Sequence, residues 1–191
     1  MQKMDVTYQR YFMNLHSLSK TVHAANIKWW QDPHTGKPIN RNKGELIALI
    51  HSEISEACDA RRELDDKLPN RYGRQVEIVD AIIRCLDYAG GFNYKLSKKE
   101  YSCLDIINTK CKRFDFIKIE DLHSQCSKLL EAERKGKCAN KILLVLIKML
   151  CEYLDQQDFD VQETFDEKMA FNAKRVDHTH EHRTGRGGKK F

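Results

Sequence analysis

The chain contains little of what ends or bends regular structure. Among its 191 residues there are nine glycines and three prolines, too few for the many tight turns of an all-β protein. Its longest aliphatic run, Ile142 to Ile147, is far shorter than the stretch of about 20 residues that crosses a membrane. The N-terminus has no apolar core typical of a signal peptide. The composition therefore predicts long helices in a soluble, cytoplasmic protein.

The seven cysteines form no C-x-x-C pair and are odd in number, which argues against both a zinc site and a disulfide framework. Most of them lie among apolar helical positions, as buried reduced thiols do. The net charge of +5 is modest, and the excess lies near the C-terminus. This balance permits an anionic partner, but we expect neither a nucleic-acid nor a membrane partner.

Apolar residues recur at helical spacing through most of the chain, which predicts an all-α helical bundle. A first helix should end before a loop at 32–38, and Asn42 is the predicted N-cap of the second helix. A third helix should follow a turn and end at Gly90-Gly91. Further helices are predicted over 97–116, 119–134 and 139–157, and from Asp160 onward.

We expect residues 1–176 to form one all-α domain and residues 177–191 to form a flexible basic tail, because the tail has no apolar periodicity. His178, His180 and His182 lie in this tail at steps of two, and we interpret them as solvent-exposed rather than as a transition-metal site. The basic residues of the tail are not interleaved with aromatic residues, so the stacking of nucleic-acid bases is not indicated.

Two pairs of carboxylates stand out within the predicted helices, Glu53 with Glu56 and Glu77 with Asp80. Residues three apart on a helix are neighbours, about 5–6 Å apart at Cβ, so each pair presents two acidic groups on one face. If the two helices pack antiparallel, four carboxylates meet and repel one another unless a cation lies among them. Oxygen ligands favour Mg²⁺ first and Mn²⁺ second.

Two other interpretations of the carboxylates are open. A solvated acidic helix face is the simpler one, but the first pair lies among the apolar residues Ile50, Ile54 and Ala57. A di-iron or di-manganese centre would use Glu-x-x-His pairs, and neither pair contains a histidine. Magnesium chemistry on a phosphate ester suits a set of oxygen ligands better.

A weak internal repeat relates two predicted helical hairpins, 43–94 and 119–157. The segment His51-Ser-Glu-Ile-Ser-Glu56 is similar to the later His123-Ser-Gln-Cys-Ser-Lys128. This predicts a duplicated hairpin with one metal-binding half and one degenerate half, and chance similarity between two amphipathic helices is the alternative. The residues at the acidic positions of the second copy are Gln125, Lys128, Lys141 and Leu144.

The two acidic pairs carry a resemblance to a known protein family. Their pattern, Glu-x-x-Glu, a short hairpin and then Glu-x-x-Asp, is similar to the signature of the MazG-type all-α nucleoside triphosphate pyrophosphohydrolases. That superfamily also contains the dimeric dUTPases and the dCTP pyrophosphatases. The resemblance implies cleavage of an NTP or dNTP between its α- and β-phosphates, giving a monophosphate and pyrophosphate. It implies that the catalytic, Mg²⁺-binding carboxylates are Glu53, Glu56, Glu77 and Asp80.

A second match lies downstream. Lys168, Asn172 and Arg175 are similar to the Lys, Asn and Arg that follow the bundle in many of these proteins, which implies that they hold phosphate oxygens. Their spacing places them on one helix face, where Arg offers a fork and Lys a point charge. A basic turn that complements the helix dipole is the alternative. The first helix lies near the base in the family, and its candidate base-pocket residues are Phe12, Asn26, Trp29 and Trp30.

The chain departs from the family at one position. Several relatives carry a further Glu beside the first pair, where this chain has Ser52, so we expect Glu56 to activate the attacking water. We also expect a homodimer, although a duplicated hairpin would complete within one chain the bundle that relatives build from two subunits. The rival hypothesis is a non-catalytic helical interaction or nucleic-acid-binding module that retained the bundle.

Overall fold

The computed structural model describes residues 15–60, 63–96 and 116–185. Within these ranges the all-α prediction is confirmed, and no helix is long and apolar enough to cross a membrane. The helix predicted over 97–116 falls almost wholly outside them, as does Phe12. The seven helices are α1 (Leu15–Asn26), α2 (Lys43–Asp59), α3 (Gly73–Gly91), α4 (Ile119–Arg134), α5 (Asn140–Asp155), α6 (Val161–Lys174) and α7 (His180–Thr184).

Helix α3 is the centre of the bundle. It packs against α1, α2, α5 and α6, while α4 packs against α2 and α5. Apolar side chains surround most of α3, and Val76, Val79 and Leu86 are completely buried. A helix that is apolar almost all round is stable only inside a protein. Its carboxylates Glu77 and Asp80 therefore lie at the edges of packed surfaces, where both are partly buried.

Several helix ends follow from local sequence. Asn42 caps α2, its Oδ1 accepting the backbone N–H of Glu45 at 3.2 Å, and Asp160 caps α6 by accepting the N–H of Glu163 at 2.8 Å. Gly136 adopts φ +62° in the turn between α4 and α5, a conformation that glycine adopts readily. The predicted starts of α2 and α6 and the predicted break between α4 and α5 are confirmed.

The two adjacent tryptophans reach different surroundings because α1 gives way to a tight 3₁₀ turn, Ile27–Trp30. The first helix thus ends at Asn26, earlier than the predicted end before the loop at 32–38. Trp30 is buried and packs so closely on Gly91 that a Cβ at Gly91 would lie 2.2 Å from the ring. Its indole N–H donates to Asp87 at 3.2 Å. Trp29 is only partly buried.

The two hairpins of the predicted repeat are both helical. The hairpin of α2 and α3 packs on that of α4 and α5, with α2 against α4 and α3 against α5. Where α2 meets α4, the rings of His51 and His123 stack with an interplanar angle of 7° and Nδ1 atoms 2.8 Å apart. The two residues that the repeat makes equivalent therefore contact each other.

The expected flexible tail differs from the structure in its first part. Residues 176–178 form a 3₁₀ turn, and α7 follows with the Thr179 hydroxyl accepting the N–H of His182 at 3.4 Å. We call residues 176–185 the C-terminal segment. Its Arg183 is only 6% exposed because it packs on Trp29. Tertiary contact thus orders a sequence whose own periodicity is weak.

Replacing Gly91 with Ala is expected to destabilise the protein by about 1–3 kcal/mol, because the new Cβ would overlap the Trp30 ring in a packed core. The measurement is the free energy of unfolding in urea, followed by circular dichroism. In a Trp30→Leu background the same change should be much less destabilising, since the overlapping ring is gone. Equal effects in both backgrounds would show that the ring does not pack on this glycine.

Candidate metal and phosphate site

Three of the four predicted metal ligands form a compact group between α2 and α3. One carboxylate oxygen from each of Glu53, Glu56 and Glu77 can be chosen so that all three lie within 4.8 Å of one another. Glu53 is buried, Glu77 is partly buried and Glu56 is exposed. We call these three residues the acidic cluster. It extends from the helix interface to solvent.

Asp80, the fourth predicted ligand, is held by an ion pair beside the acidic cluster. Its Oδ2 lies 2.8 Å from Nζ of Lys168 on α6. Lys168 is 1% exposed, so its ammonium group is withdrawn from water and requires an anionic partner. The pair joins α3 to α6 and brings one of the predicted phosphate-binding residues to the acidic hairpin.

A second cation reaches the cluster from α3 itself. Arg84 Nε lies 2.5 Å from Glu53 Oε1, so the buried carboxylate has a charged partner across the helix interface. Sequence reasoning misses this pair, although Arg84 stands one helical turn after Asp80. At the exposed end, the Ser52 hydroxyl donates to Glu56 Oε1 at 3.0 Å.

The crowding of carboxylates changes their affinity for protons. Burial raises the pKa of Glu77 to about 8, and repulsion from Asp80 and Glu53 adds to the shift. Burial also raises the pKa of Glu53, although the Arg84 guanidinium opposes that change. The repulsion between the neighbouring carboxylates of Glu53 and Glu77 favours a proton on one of the two. A bound cation would take the place of that proton.

The acidic cluster suits a hard divalent cation. Its donors are carboxylate oxygens without histidine, the ligand type that Mg²⁺ prefers. Mg²⁺–oxygen distances are about 2.0–2.1 Å, so two oxygens on one ion lie at most about 4.2 Å apart. The 4.8 Å spread of the cluster therefore needs only small side-chain rotations to close on an ion. Because Glu56 is exposed, one side of the cluster is open to water and to phosphate oxygens.

Helix α6 is fixed against the acidic hairpin by Arg71, which lies in the connection between α2 and α3. Its guanidinium donates twice to Glu167, from Nε and from a terminal nitrogen, each at 2.8 Å. The same terminal nitrogen lies 2.8 Å from a carboxylate oxygen of Glu163. A planar guanidinium held by two carboxylates one turn apart fixes the orientation of α6. This anchor lies one residue before the buried Lys168.

The other two predicted phosphate ligands lie at the C-terminal end of α6. Asn172 is partly buried, and no donor among the described residues reaches its side-chain oxygen. Arg175 does not share the helix face as predicted, because its extended ψ of 126° ends the helix one residue earlier. Its guanidinium binds Asp177 as a fork, at 2.9 and 2.6 Å. This contact raises the pKa of Arg175, and the charges of Asp80 and Glu53 add to the shift.

The predicted base-pocket residues are divided between the core and the C-terminal segment. Trp30 is enclosed in the core, where its packing contacts account for the ring. Trp29 is covered: the Arg183 guanidinium carbon lies 4.5 Å from its ring centroid, and His178 meets it edge-on at 4.9 Å. Asn26 is partly buried at the end of α1, and its side chain does not cap the 3₁₀ turn. No sequence pattern indicated that the C-terminal segment folds onto Trp29.

An open cleft of about 580 Å³ adjoins the site. Its lining includes Arg175 and Phe171 at the end of α6 and Lys67 from the connection between α2 and α3. The volume lies within the range of small-molecule sites, about 300–1,000 Å³. The cleft thus contains Arg175, one of the predicted phosphate ligands, but no residue of the acidic cluster lines it.

The metal-free protein is expected to lose stability as the pH rises from about 5 to 8. Folded Glu77 keeps its proton up to a pKa of about 8, whereas the unfolded chain loses it near the ordinary value of 4.5. Folding therefore takes up a proton in this window and is favoured by acid. Thermal unfolding in EDTA across these pH values measures the slope.

Glu77→Gln should flatten this slope and raise Tm at pH 8 in EDTA by roughly 2–4 °C, since it removes one of the repelling charges. Mg²⁺ should then stabilise the wild type more than the variant, because the variant has lost a ligand. Glu45→Gln changes an exposed carboxylate earlier on α2 and should behave as the wild type. Equal pH slopes in all three proteins would contradict the raised pKa of Glu77 in the folded protein.

Comparisons with known proteins found no relative of this chain. No protein-family model matches the chain, and neither the curated proteins nor the solved structures gave a match. The resemblance to the MazG-type proteins therefore rests on the acidic and basic motifs themselves. The function has to be inferred from the chemistry of these side chains.

Proposed function

We propose that the protein is a magnesium-dependent nucleoside triphosphate pyrophosphohydrolase, which cleaves an NTP or dNTP between its α- and β-phosphates. The observation that carries the proposal is the acidic cluster, with three carboxylate oxygens within 4.8 Å, beside the buried pair of Lys168 and Asp80. A divalent ion and a phosphate chain together satisfy neighbouring groups of opposite charge. A purely acidic face would need only the cation, and a purely basic patch would need only the phosphates.

The chain's own groups have distinct tasks in this proposal. Glu53, Glu56 and Glu77 would hold Mg²⁺, with Asp80 beside them. Mg²⁺, when bound, supplies Lewis-acid polarisation of the phosphate oxygens and lowers the pKa of a bound water. Arg175 already binds a carboxylate through two hydrogen bonds, the geometry that also suits phosphate oxygens.

Glu56 is the best-placed acceptor for the proton of the attacking water. It is the exposed member of the acidic cluster, and Ser52 donates to one of its oxygens, which leaves the other for water. The water oxygen forms a bond to one of the two phosphorus atoms that flank the α–β bridge, and its proton passes to Glu56. The bond from that phosphorus to the bridging oxygen breaks, and this oxygen keeps the electron pair.

The cleft at Arg175 offers room for the nucleoside. Arg175 and Phe171 both line this cleft, and the charges of Asp80 and Glu53 raise the pKa of Arg175. The Arg175 guanidinium carbon lies 5.8 Å from the Phe171 ring centroid, so a group in the cleft meets both a ring and a cation. Base and sugar preference would be set there rather than at the covered Trp29.

We also propose that the bundle arose by duplication of one hairpin. Equivalent helices pack on each other, α2 on α4 and α3 on α5, as two copies related by a pseudo-twofold axis would. The stacked pair of His51 and His123 supports this, since a residue near such an axis contacts its own equivalent. Glu53 and its counterpart Gln125 are both buried, at 6% and 7% exposure.

A homodimer is the oligomeric state expected from the family resemblance. The second hairpin already covers α2 and α3 within one chain, so a partner subunit would add to the bundle rather than complete it. Light scattering after size exclusion should give twice the monomer mass. A monomer at micromolar concentration would contradict the dimer, and would fit a duplication that replaces the second subunit.

Purified protein with Mg²⁺ should convert at least one of the common NTPs and dNTPs to the monophosphate and pyrophosphate, and EDTA should stop the reaction. Ion-exchange chromatography of the products distinguishes pyrophosphate from orthophosphate. No turnover of any nucleotide would contradict the proposal. Salt-sensitive binding of RNA or DNA that survives loss of the carboxylates would favour a binding module instead.

Glu53→Gln and Asp80→Asn should each lower kcat/KM about 100-fold or more, because each weakens the placement of positive charge in the transition state. Glu45→Gln is the matched control on α2 and should retain wild-type activity. Circular dichroism checks that the variants keep their helical content. Full activity in both site variants would exclude the acidic cluster as the catalytic centre.

A further inference from the structure

The C-terminal segment closes on Trp29 with a charged group whose hydrogen bonds are incomplete. Arg183 is 6% exposed, and its Nε and one terminal nitrogen are buried without an acceptor in the part of the chain that the structure describes. The guanidinium is held in place on the Trp29 ring, 4.5 Å from its centroid. A buried donor without an acceptor is unfavourable, and more so when it carries a charge. Arg183 therefore needs a hydrogen-bond acceptor that the described residues do not supply.

The surroundings of Arg183 indicate that this acceptor is an anion. Lys28 lies against the same ring, its Nζ 5.7 Å from the Trp29 centroid. Burial lowers the pKa of Lys28, and the charges of Arg183 and Arg175 lower it further, while Asp177 opposes the change. Asp32 likewise opposes the effect of burial on the pKa of Arg183, and a multiply charged anion would add to this compensation.

The side chain of Asn172 on α6 is a second polar group with unmade hydrogen bonds. The Asn172 side-chain oxygen is buried and accepts no hydrogen bond from any described residue. Its backbone oxygen lies 3.2 Å from Nδ1 of His178, the residue that meets Trp29 edge-on. Asn172 is thus connected, through His178, to the Trp29 ring on which Arg183 packs. A nucleotide offers both kinds of partner, phosphate oxygens and hydroxyl or amine hydrogens.

We propose that Arg183 and Lys28, with Arg175 beside them, bind the pyrophosphate end of the nucleotide, and that the C-terminal segment closes over it. The anion site follows from the buried guanidinium, whereas its assignment to a nucleotide rests on the proposed function. A guanidinium binds two phosphate oxygens through parallel hydrogen bonds, and a lysine adds a point charge. Arg175 also lines the open cleft at the end of α6, so the proposed site and the cleft share this residue.

Calorimetry with inorganic pyrophosphate in EDTA tests the site apart from catalysis. The wild type should bind, and Arg183→Gln should bind about tenfold more weakly or worse, since it loses charged hydrogen bonds. Arg183→Lys should fall between them, because it keeps the charge and loses the fork. Arg134→Gln removes an exposed arginine at the end of α4 and is the control of equal charge. It should bind as the wild type.

Hydrogen exchange measures whether the C-terminal segment becomes more ordered on binding, which affinity alone does not report. Amides of residues 176–185 should exchange more slowly when pyrophosphate binds the wild type, and this protection should be lost in Arg183→Gln. If that variant fails to fold by circular dichroism, Lys28→Gln and Arg183→Lys carry the same test. An α,β-non-hydrolysable triphosphate should displace pyrophosphate, and a nucleoside monophosphate should do so much less well.

The outcomes separate this site from the proposed reaction. Equal pyrophosphate affinity in the wild type and Arg183→Gln, or unchanged exchange of the C-terminal segment, would overturn the site even if nucleotides are hydrolysed. Binding that depends on Arg183 in a protein that hydrolyses no nucleotide would support the phosphate site and count against the hydrolase. Displacement by the monophosphate alone would overturn the assignment to the pyrophosphate end.

Discussion

Carboxylates packed into a helix interface are the constraint on which the rest of the structure depends. Glu53 is buried in α2, and Glu77 approaches it from α3. Like charges this close are tolerated only when their charge is reduced or balanced. The protein does both, because burial and repulsion raise the pKa of Glu77 while Arg84 and Lys168 supply positive charge. The position of α6 thus follows from charge balance as much as from apolar packing.

The same constraint links stability to ligand binding. A packed apolar helix such as α3 gains stability from burial, and each carboxylate along it reduces that gain. A cation at the acidic cluster would relieve the repulsion. The site would therefore gain affinity for the cation at the expense of the stability of the ligand-free protein. Arg183 shows the reverse case, a buried cation whose hydrogen bonds are incomplete. The protein thus holds unfavourable groups of both signs, which would favour a ligand that carries both a cation and phosphates.

Sequence patterns predicted what depends on neighbours along the chain. The cap Asn42 and the start of α6 near Asp160 are defined within one helical turn, and the structure confirms both. Three of the four predicted carboxylates lie together, and Asp80 pairs with Lys168 instead. The pairing of Arg84 with Glu53 was missed because it depends on how two helices meet. The burial of Arg183 was missed for the same reason, since only a tertiary contact with Trp29 orders that segment.

The second hairpin shows why the acidic half needs its cations. In the proposed duplication, Gln125 stands where Glu53 does and is equally buried, yet its amide donates to the Ile142 carbonyl at 3.1 Å and needs no charged partner. Leu144, at the position of Asp80, is 1% exposed and packs in the core. A neutral amide and an aliphatic chain are thus satisfied by the fold alone. Carboxylates at the same places are instead paired with Arg84 and Lys168, an arrangement that stability alone does not favour and that the proposed metal binding would explain.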